Sequence, residues 1–381
     1  MSGVESMRVK AELNLNEAIA AFPIEGELVG ALRYGDGHIN DTFCVYTQLD
    51  SGDVKRYILQ RLSSVAFKEP DQLMQNISKV TSFLQEKIKT AGGDARKEAM
   101  NLIRTKSGQL YFTDSNFENW RLYDFIEGTY YLSKVENAEQ FYESARTFGK
   151  FQALLADFPA AELYETIKNF HNTVDRLNKL KKSVEADKMN RVEEVADELS
   201  FVEKRVADCK VLVDQLNNGT LPLKVTHNDT KLNNILFDKN SDKGICVIDL
   251  DTVMPGLCAY DFGDSIRFGA NTAAEDEQDL SKVKFDLNLF EVYTKGYAES
   301  SKETLSEAEI KSLPWGAKLM TLECGIRFLT DYLDGDVYFS VKKDRPKHNL
   351  DRCRTQFRLV REMENVWEQM FEIVERCFEQ E

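Results

Sequence analysis

The segment 227–234 holds a histidine, an aspartate, a lysine and two asparagines in the order HNDTKLNN, and ICVIDLD follows at 245–251. Phosphoryl transfer needs a carboxylate that orients or deprotonates the attacking hydroxyl group, and oxygen ligands for a divalent cation that neutralises the phosphates. The spacing H-x-D-x-K-x-x-N followed by I-D is typical of a kinase catalytic loop and its metal-binding aspartate. A lone H-x-D would be better interpreted as a polar loop with a capping aspartate. The complete double motif favours chemistry, with Asp229, Asn234 and Asp249 as the candidates.

A glycine-bearing segment, GDGHIN at 35–40, lies between two strand-like runs. The backbone amides of such a hairpin can contact phosphate groups, so Gly35, Gly37 and Asn40 are candidate nucleotide contacts. An ordinary hairpin turn has the same composition and is the alternative interpretation.

A third candidate is the connector YDFIEG at 123–128. Its backbone N–H and C=O groups could bind the edge of an adenine ring, with Asp124 and Ile126 as the residues concerned. A plain exit from a strand into a loop is the alternative, and the sequence leaves both open.

The surrounding sequence changes character near residue 128. Alternating and β-branched runs predict a three-stranded antiparallel meander over 26–34, 41–50 and 54–62, with further strands at 102–104, 109–113 and 119–126. Apolar residues at three- and four-residue spacing predict one helix over 69–90. Beyond residue 128 the same periodicity predicts helices at 136–156, 160–183, 187–217, 280–300, 304–333 and 350–380. We therefore expect an α+β protein with a β-rich nucleotide-binding lobe, 1–128, and a larger helical lobe, 129–381, with the catalytic loop and the acceptor site.

Composition excludes several classes of function. The chain has 381 residues, 42% of them hydrophobic, and a formal net charge of −15, which disfavours a nucleic-acid-binding face. No apolar run reaches the roughly 18 residues of a membrane span, and the N-terminus has no export signal, so we expect a cytoplasmic protein. The seven cysteines show no C-x-x-C pair and are expected to be reduced and mostly buried. The four histidines lack metal-ligand spacing, so zinc is not expected, and a monomer and a homodimer are equally compatible with the sequence.

The whole chain resembles the aminoglycoside phosphotransferase/choline kinase-like superfamily, and within it the N-acetylhexosamine 1-kinases. The motif H-x-D-x-x-x-x-N with I-D-x-D is specific to the superfamily only, whereas THNDTKLNNIL and DFGDSIRFGA are more specific to the hexosamine kinases. The resembling segments are YGDGHIN (34–40), RYILQR (56–61), VTHNDTKLNNILFD (225–238), VIDLDTVMPG (247–256), DFGDSIRFGA (261–270), ECGIRF (323–328) and DYLDGDVYF (331–339).

The resemblance implies a two-lobed, protein-kinase-like fold and transfer of the γ-phosphoryl group of ATP to the C1 hydroxyl group of a free N-acetylhexosamine. It implies Asp229 as the catalytic residue, which also contacts the sugar, and Lys231 beside the transferred phosphate. It implies Mg²⁺ on Asn234 and Asp249, while Asp251 either assists the metal or caps the next turn. The sugar contacts carried over from the family are His38, Phe268, Arg327 and Tyr338.

Each sugar contact has a simpler alternative. His38 could face solvent in a hairpin, Tyr338 could pack in the core, and Arg327 could pair with Asp331 one helical turn later. We interpret His227 as a residue that orients the loop rather than as a base. Asp261 is expected to cap the loop from beneath, and Arg267 to pair with a nearby acid.

One departure from the protein kinases concerns the side chain that would bind the α and β phosphates. Protein kinases place a lysine on the third strand, whereas this chain has Gln60 there, as do the hexosamine kinases. Gln60 is therefore a candidate nucleotide contact, but how the α and β phosphates are held stays open. Alternative functions are a choline, ethanolamine, homoserine or aminoglycoside kinase of the same fold, or a pseudokinase-like binding protein. The pseudokinase is disfavoured because Asp229, Asn234 and Asp249 are all present.

Overall fold

The computed structural model describes residues 14–35 and 39–379, and these residues form two compact units. The first contains the described residues up to Thr81 together with Met100–Glu127, and the second contains Ser82–Ala99 and the described residues from Gly128 onward. The predicted α+β class, with an antiparallel β-sheet in the first unit and a larger helical second unit, is confirmed. The assignment of residues 1–128 to nucleotide binding and 129–381 to catalysis stays a prediction.

A six-stranded antiparallel sheet dominates the first unit. Strand order is β1-β2-β3-β6-β4, with β5 paired to β6, so the predicted meander is confirmed as β1-β2-β3. One face buries Phe43, Tyr57, Leu59 and Trp120, and along β3 these buried residues alternate with half-exposed ones. The elements up to residue 127 are α1 (Leu15–Ala20), β1 (Glu27–Arg33), β2 (Asp41–Gln48), β3 (Val54–Arg61), α2 (Pro70–Thr90), α3 (Ala95–Glu98), β4 (Leu102–Ile103), β5 (Phe112–Thr113) and β6 (Asn119–Asp124).

Helices make up most of the second unit, and two small antiparallel sheets, β10-β9-β7 and β11-β8, hold the loops between them. Its later elements are β7 (Thr129–Tyr130), α4 (Ala138–Leu154), α5 (Thr173–Ala186), α6 (Ala196–Glu203), α7 (Val211–Asn217), β8 (Lys224–Thr226), β9 (Ile235–Asp238), β10 (Gly244–Val247), β11 (Met254–Gly256), α8 (Cys258–Gly269), α9 (Leu287–Ser301), α10 (Glu307–Asp334), α11 (His348–Asn365) and α12 (Trp367–Glu379).

Four predicted helices are wrong in extent. The region 280–300 is α-helical only from Leu287. The region 160–183 has one 3₁₀ turn at Ala160–Glu162 and is α-helical only from Thr173, because Asn169 has a positive φ and the Asn172 side chain caps the start of α5. The region 187–217 breaks into α6 and α7, and the region 350–380 breaks at Val366 between α11 and α12. Helix α8 was not predicted, since its sequence was interpreted only as a motif.

Helices α8 and α10 touch backbone to backbone. A Cβ atom on Gly316 would lie 2.0 Å from the carbonyl oxygen of Ala259, and one on Gly263 would lie 2.2 Å from the carbonyl oxygen of Gly316. Only glycine allows this approach, so the two helices are locked in one register.

All seven cysteines are free and six are buried, as predicted. No helix within the described residues combines the length and the apolar character needed to cross a lipid bilayer.

Candidate active site

A sharp turn at His227 and Asn228 carries the central motif. Asn228 adopts a positive φ of 65°, and its backbone N–H donates to Oδ1 of Asp261 at 2.7 Å. The His227 N–H donates to Oδ2 of the same carboxylate at 2.9 Å, and Nε2 of Gln152 donates to that oxygen at 2.6 Å. Burial raises the pKa of Asp261, while the hydrogen bonds from these N–H donors act in the opposite direction. The expected capping role of Asp261 is confirmed.

The ring of His227 connects this turn to the next loop. Its Nδ1 accepts the backbone N–H of Asp229 at 3.3 Å, and its Nε2 donates to the carbonyl oxygen of Ile248 at 2.9 Å. Because an N–H can only donate and a carbonyl can only accept, the ring is the neutral Nε2–H tautomer. His227 is fully buried, so it orients the loop and cannot act as a base toward a ligand.

Further hydrogen bonds bring the two halves of the motif together. Oγ1 of Thr252 donates to the carbonyl oxygen of His227 at 2.6 Å, and the N–H of Ile248 donates to the carbonyl oxygen of Asn234 at 2.9 Å. Asp249 lies between Ile248 and Thr252 in the chain, so these bonds fix its backbone next to the loop that carries Asp229.

The carboxylate of Asp229 has a partner on each oxygen. Oδ1 lies 2.7 Å from Nζ of Lys231, and Oδ2 accepts from Nδ2 of Asn234 at 3.2 Å. Burial would lower the pKa of Lys231, but the negative charges of Asp229 and Asp264 outweigh it and raise that pKa. Lys231 is therefore a stable cation beside the candidate catalytic carboxylate.

The donor set of Asn234, Asp249 and Asp251 fits a hard cation that binds together with phosphate. Nδ2 of Asn234 donates to the carbonyl oxygen of Asp229 at 2.8 Å, which fixes the amide and commits Oδ1 to the role of acceptor. Asp249 is exposed at a positive φ of 60°, whereas Asp251 is buried. The described residues contain no group of three His, Cys, Asp or Glu side chains that could hold a metal ion. Mg²⁺ commonly takes one or two carboxylates and completes its shell with phosphate oxygens and water, so such a group is not required.

Arg327 on α10 does not pair with Asp331, so that alternative is wrong. Asp331 instead accepts the backbone N–H groups of residues 337, 338 and 339 at 2.8–2.9 Å, which holds the loop after α10. The Arg327 guanidinium packs over the rings of Phe170 and Phe339 at 5.3 Å and that of Tyr338 at 5.9 Å. Within the described residues it has no hydrogen bond or ion pair. Tyr338 is 69% exposed, which excludes the core-packing alternative.

The remaining predicted residues of this region are placed as follows. Phe268 is half-buried on α8. Arg267, next to it, pairs with Asp264 at 2.8 Å and with Glu275 at 3.1 Å, as expected. His38 lies outside the described residues.

Sequence reasoning missed a pair of buried residues between Arg327 and the catalytic loop. Nδ1 of His171 lies 3.1 Å from Oε1 of Glu323, and Nε2 of His171 lies 3.4 Å from the carbonyl oxygen of Asn228. Arg176 approaches the same Glu323 oxygen at 3.9 Å. The available signal was that Glu323 lies one helical turn before Arg327, so that both occupy one face of α10.

In the first unit, Gln60 lies in a chain of side-chain hydrogen bonds. Its Nε2 donates to Oγ1 of Thr42 at 3.0 Å, and its Oε1 accepts from Nε of the buried Arg121 on β6 at 2.9 Å. Arg121 is a second residue that the sequence did not single out, although it faces Gln60 directly across β3 and β6.

The other predicted nucleotide contacts occupy the ends of strands. Gly35 has a positive φ of 76°, and Asn40 Oδ1 accepts the N–H of Ser63 at 3.0 Å. The N–H of Asp124 donates to the carbonyl oxygen of Asn101 at 3.1 Å, so this N–H is already committed within the sheet. Ile126 is buried, and Gly37 lies outside the described residues.

Known proteins are similar to this chain in sequence profile and in fold. The sequence profile of APH, the phosphotransferase enzyme family, matches residues 32–295. An aminoglycoside phosphotransferase from Alicyclobacillus acidocaldarius subsp. acidocaldarius DSM 446 aligns with a TM-score of 0.57 at 12% identity, over 98% of this chain and 97% of that chain. The microcompartment-associated aminopropanol kinase aligns with a TM-score of 0.60 at 13% identity, over 93% and 97%. A choline kinase from Cryptosporidium parvum Iowa II aligns at 0.55 and 13%, over 90% and 91%. At these identities the structural likeness concerns the fold alone.

Proposed function

We propose, from the premise that this chain belongs to the phosphotransferase enzyme family, that it transfers the γ-phosphoryl group of ATP to the C1 hydroxyl group of an N-acetylhexosamine. The C1 oxygen forms the new bond to phosphorus while its proton passes to Asp229. The bond from phosphorus to the bridging oxygen breaks, and ADP leaves. Catalysis then consists mainly of positioning and neutralisation of charge.

The contacts of Asp229 support this role. Asn234 and Lys231 hold its two oxygens, so the carboxylate is oriented before an acceptor arrives. Lys231 is placed to meet the negative charge of the transferred phosphoryl group. Asn234 and Asp249 would hold Mg²⁺, assisted by Asp251, and the ion would neutralise the phosphates when bound.

The observation that carries the acceptor assignment is the environment of Arg327. Its guanidinium lacks an acidic partner within the described residues, is surrounded by aromatic rings, and lies near the cation of Arg176. Two cations in this region repel a charged amine, whereas guanidinium N–H groups and the exposed Tyr338 ring suit the hydroxyl groups and the apolar face of a sugar. We assign Arg327 and Tyr338, with His38 and Phe268, to the sugar.

Nucleotide binding is assigned to the first unit. Gly35, Gly37 and Asn40 would contact phosphates, and Asp124 and Ile126 would contact adenine. Gln60 would act with the buried cation Arg121 behind it, because the hydrogen bond between them orients the glutamine amide.

A turnover screen with Mg²⁺ and ATP tests the proposal. The acceptors are GlcNAc, GalNAc, glucose, choline, ethanolamine, homoserine and kanamycin, and phosphorus NMR identifies the product. We expect an anomeric phosphate from an N-acetylhexosamine. Transfer to a hydroxyl group of choline, ethanolamine, homoserine or kanamycin would support the alternative of a kinase for amine-bearing acceptors, and an aminopropanol kinase and a choline kinase are among the structural neighbours.

Substitution of the candidate catalytic residue provides the second test. We expect Asp229→Asn to bind ATP normally and to lose about 10²–10⁴-fold in kcat, the usual contribution of a general base. Asp238→Asn is the matched control, because it makes the same chemical change at the last residue of β9, where the carboxylate accepts the N–H groups of Asn240 and Ser241. An unchanged kcat for Asp229→Asn would contradict the assignment of Asp229.

A further inference from the structure

The pair formed by His171 and Glu323 bridges two parts of the second unit that the reaction must hold together. His171 precedes α5 and contacts the turn of the catalytic loop through Asn228, while Glu323 belongs to α10, the helix that carries Arg327. The side chains of His171 and Glu323 are 8% and 2% exposed. The pair is therefore a buried polar link rather than a surface contact.

The hydrogen-bonding partners fix where the protons of this pair lie. Nε2 of His171 faces the carbonyl oxygen of Asn228, which can only accept, so Nε2 carries a proton. Nδ1 faces a carboxyl oxygen at 3.1 Å, and this contact requires a second proton between the two atoms. Oε2 of Glu323 is buried without a hydrogen-bonding partner among the described residues. A buried carboxyl group with one unsatisfied oxygen is costly, which marks this residue as more than filling of the core.

The position of Asn228 explains what the link achieves. Asp261 holds the backbone N–H of Asn228 on one side, and His171 meets its carbonyl group on the other. The carbonyl of Asn228 belongs to the peptide group that leads into Asp229, so a rotation of that peptide would turn the Asp229 side chain away from the acceptor. A misplacement of about 1 Å can lower a rate about 100-fold.

We propose that His171 and Glu323 are positioning residues that hold the Asn228 carbonyl and thereby couple the orientation of Asp229 to helix α10. The proposal rests on the function proposed above, since it assigns the pair to the same reaction. The pair does not touch ATP or the acceptor in this scheme. It acts through the peptide that precedes the catalytic carboxylate.

The experiment compares His171→Ala, His171→Gln and Glu323→Gln with the native protein. Hydrogen–deuterium exchange of the amides of residues 228–231 needs no acceptor, whereas kcat and KM are measured with whichever acceptor the screen identifies. His348→Ala is the matched control. His348 is also buried with both ring nitrogens bonded, to the backbone N–H of Lys342 and to Asp276, and it has no contact with the catalytic loop.

We expect His171→Ala to exchange the loop amides at least about fivefold faster and to lose about 10–100-fold in kcat, with KM for ATP unchanged. His171→Gln retains an N–H donor and is therefore expected to keep most of the native kcat. The ring borders a cavity of about 310 Å³, so added imidazole is expected to restore part of the activity of His171→Ala. Glu323→Gln is expected to lose less than about tenfold in kcat, because the amide group of the glutamine can donate to Nδ1 of His171.

The outcomes separate this proposal from the function proposed above. Faster loop exchange in His171→Ala without turnover of any sugar supports the positioning role and contradicts the sugar assignment. Turnover of a sugar with native kcat and native loop exchange in His171→Ala overturns the positioning role. A loss of activity that matches the loss in His348→Ala, and that neither glutamine nor imidazole reverses, also overturns it, because both histidines would then be merely structural.

Discussion

Replacement of Asp261 by asparagine should destabilise the protein through the catalytic loop. Oδ2 accepts two N–H groups and Oδ1 accepts the N–H of Asn228, so an asparagine best keeps its oxygen at the Oδ2 position. Its NH₂ group then faces the N–H of Asn228, and both donors are buried without an acceptor. Each buried donor without an acceptor costs about 1–3 kcal/mol, so the free energy of unfolding should fall by about 4 kcal/mol.

Thermal unfolding followed by circular dichroism measures the effect. With roughly 2 °C for each kcal/mol in a unit of this size, we expect Tm to fall by about 8 °C in Asp261→Asn. Well below that temperature kcat should also fall, because the turn that presents Asp229 loses its anchor. Asp238→Asn makes the same chemical change at a half-buried residue whose hydrogen bonds from Asn240 and Ser241 all go to Oδ1, which asparagine retains, so it should leave Tm almost unchanged. Equal Tm values for the two variants would refute the reasoning.

Two further predictions concern stability. Gln60→Lys should lower Tm and should not tighten ATP binding, because it removes one hydrogen-bond acceptor of the buried Arg121 and adds a like charge. Gln60→Glu, which keeps an acceptor, should retain stability. Tighter ATP binding by Gln60→Lys in calorimetry would contradict this prediction. The hydrogen bond from Lys342 is the main cause that lowers the pKa of Asp276 from 3.8 to about 2. Because folding lowers the pKa of Asp276, its ionised carboxylate stabilises the native protein above pH 3.8, and this stabilisation is lost as the pH falls toward 2. The Tm difference between the native protein and Asp276→Asn should therefore shrink over that range. An equal Tm difference at pH 5 and pH 2 would contradict the lowered pKa of Asp276.

The parts of the fold that depend on near neighbours in sequence were predictable. The meander and α2 follow from periodicity over eight to twenty residues. The catalytic motif was recognisable because Asp229 and Asn234 are five residues apart, and their geometry follows from one turn of chain. Polar residues at these spacings leave few other interpretations.

Contacts across long stretches of sequence were not predictable. His171 and Glu323 are 152 residues apart, and nothing local to either indicates the other. The pairing of Arg327 with Asp331 was a reasonable local alternative, but the chain turns back after α10 and offers Asp331 three backbone N–H groups. The late start of α5 has a local cause instead, since Asn169 has a positive φ and the Asn172 side chain caps the helix, and neither feature shows in the apolar periodicity.

The glycine contact between α8 and α10 tolerates no substitution, whereas exposed positions in the loop after α10 do. Since Gly263 and Gly316 allow no side chain, the helix that carries Arg327 cannot shift relative to the helix that begins beneath the catalytic loop. Val337 and Tyr338, in contrast, are 79% and 69% exposed, and their loop is held through backbone N–H groups that any residue except proline provides. On the proposed assignment of Tyr338 to the acceptor, acceptor preference can diverge by substitution at the exposed positions 337 and 338 while the chemistry stays intact. These two positions are therefore the ones to randomise when a new acceptor is sought, whereas Phe339 packs against Arg327 and is kept.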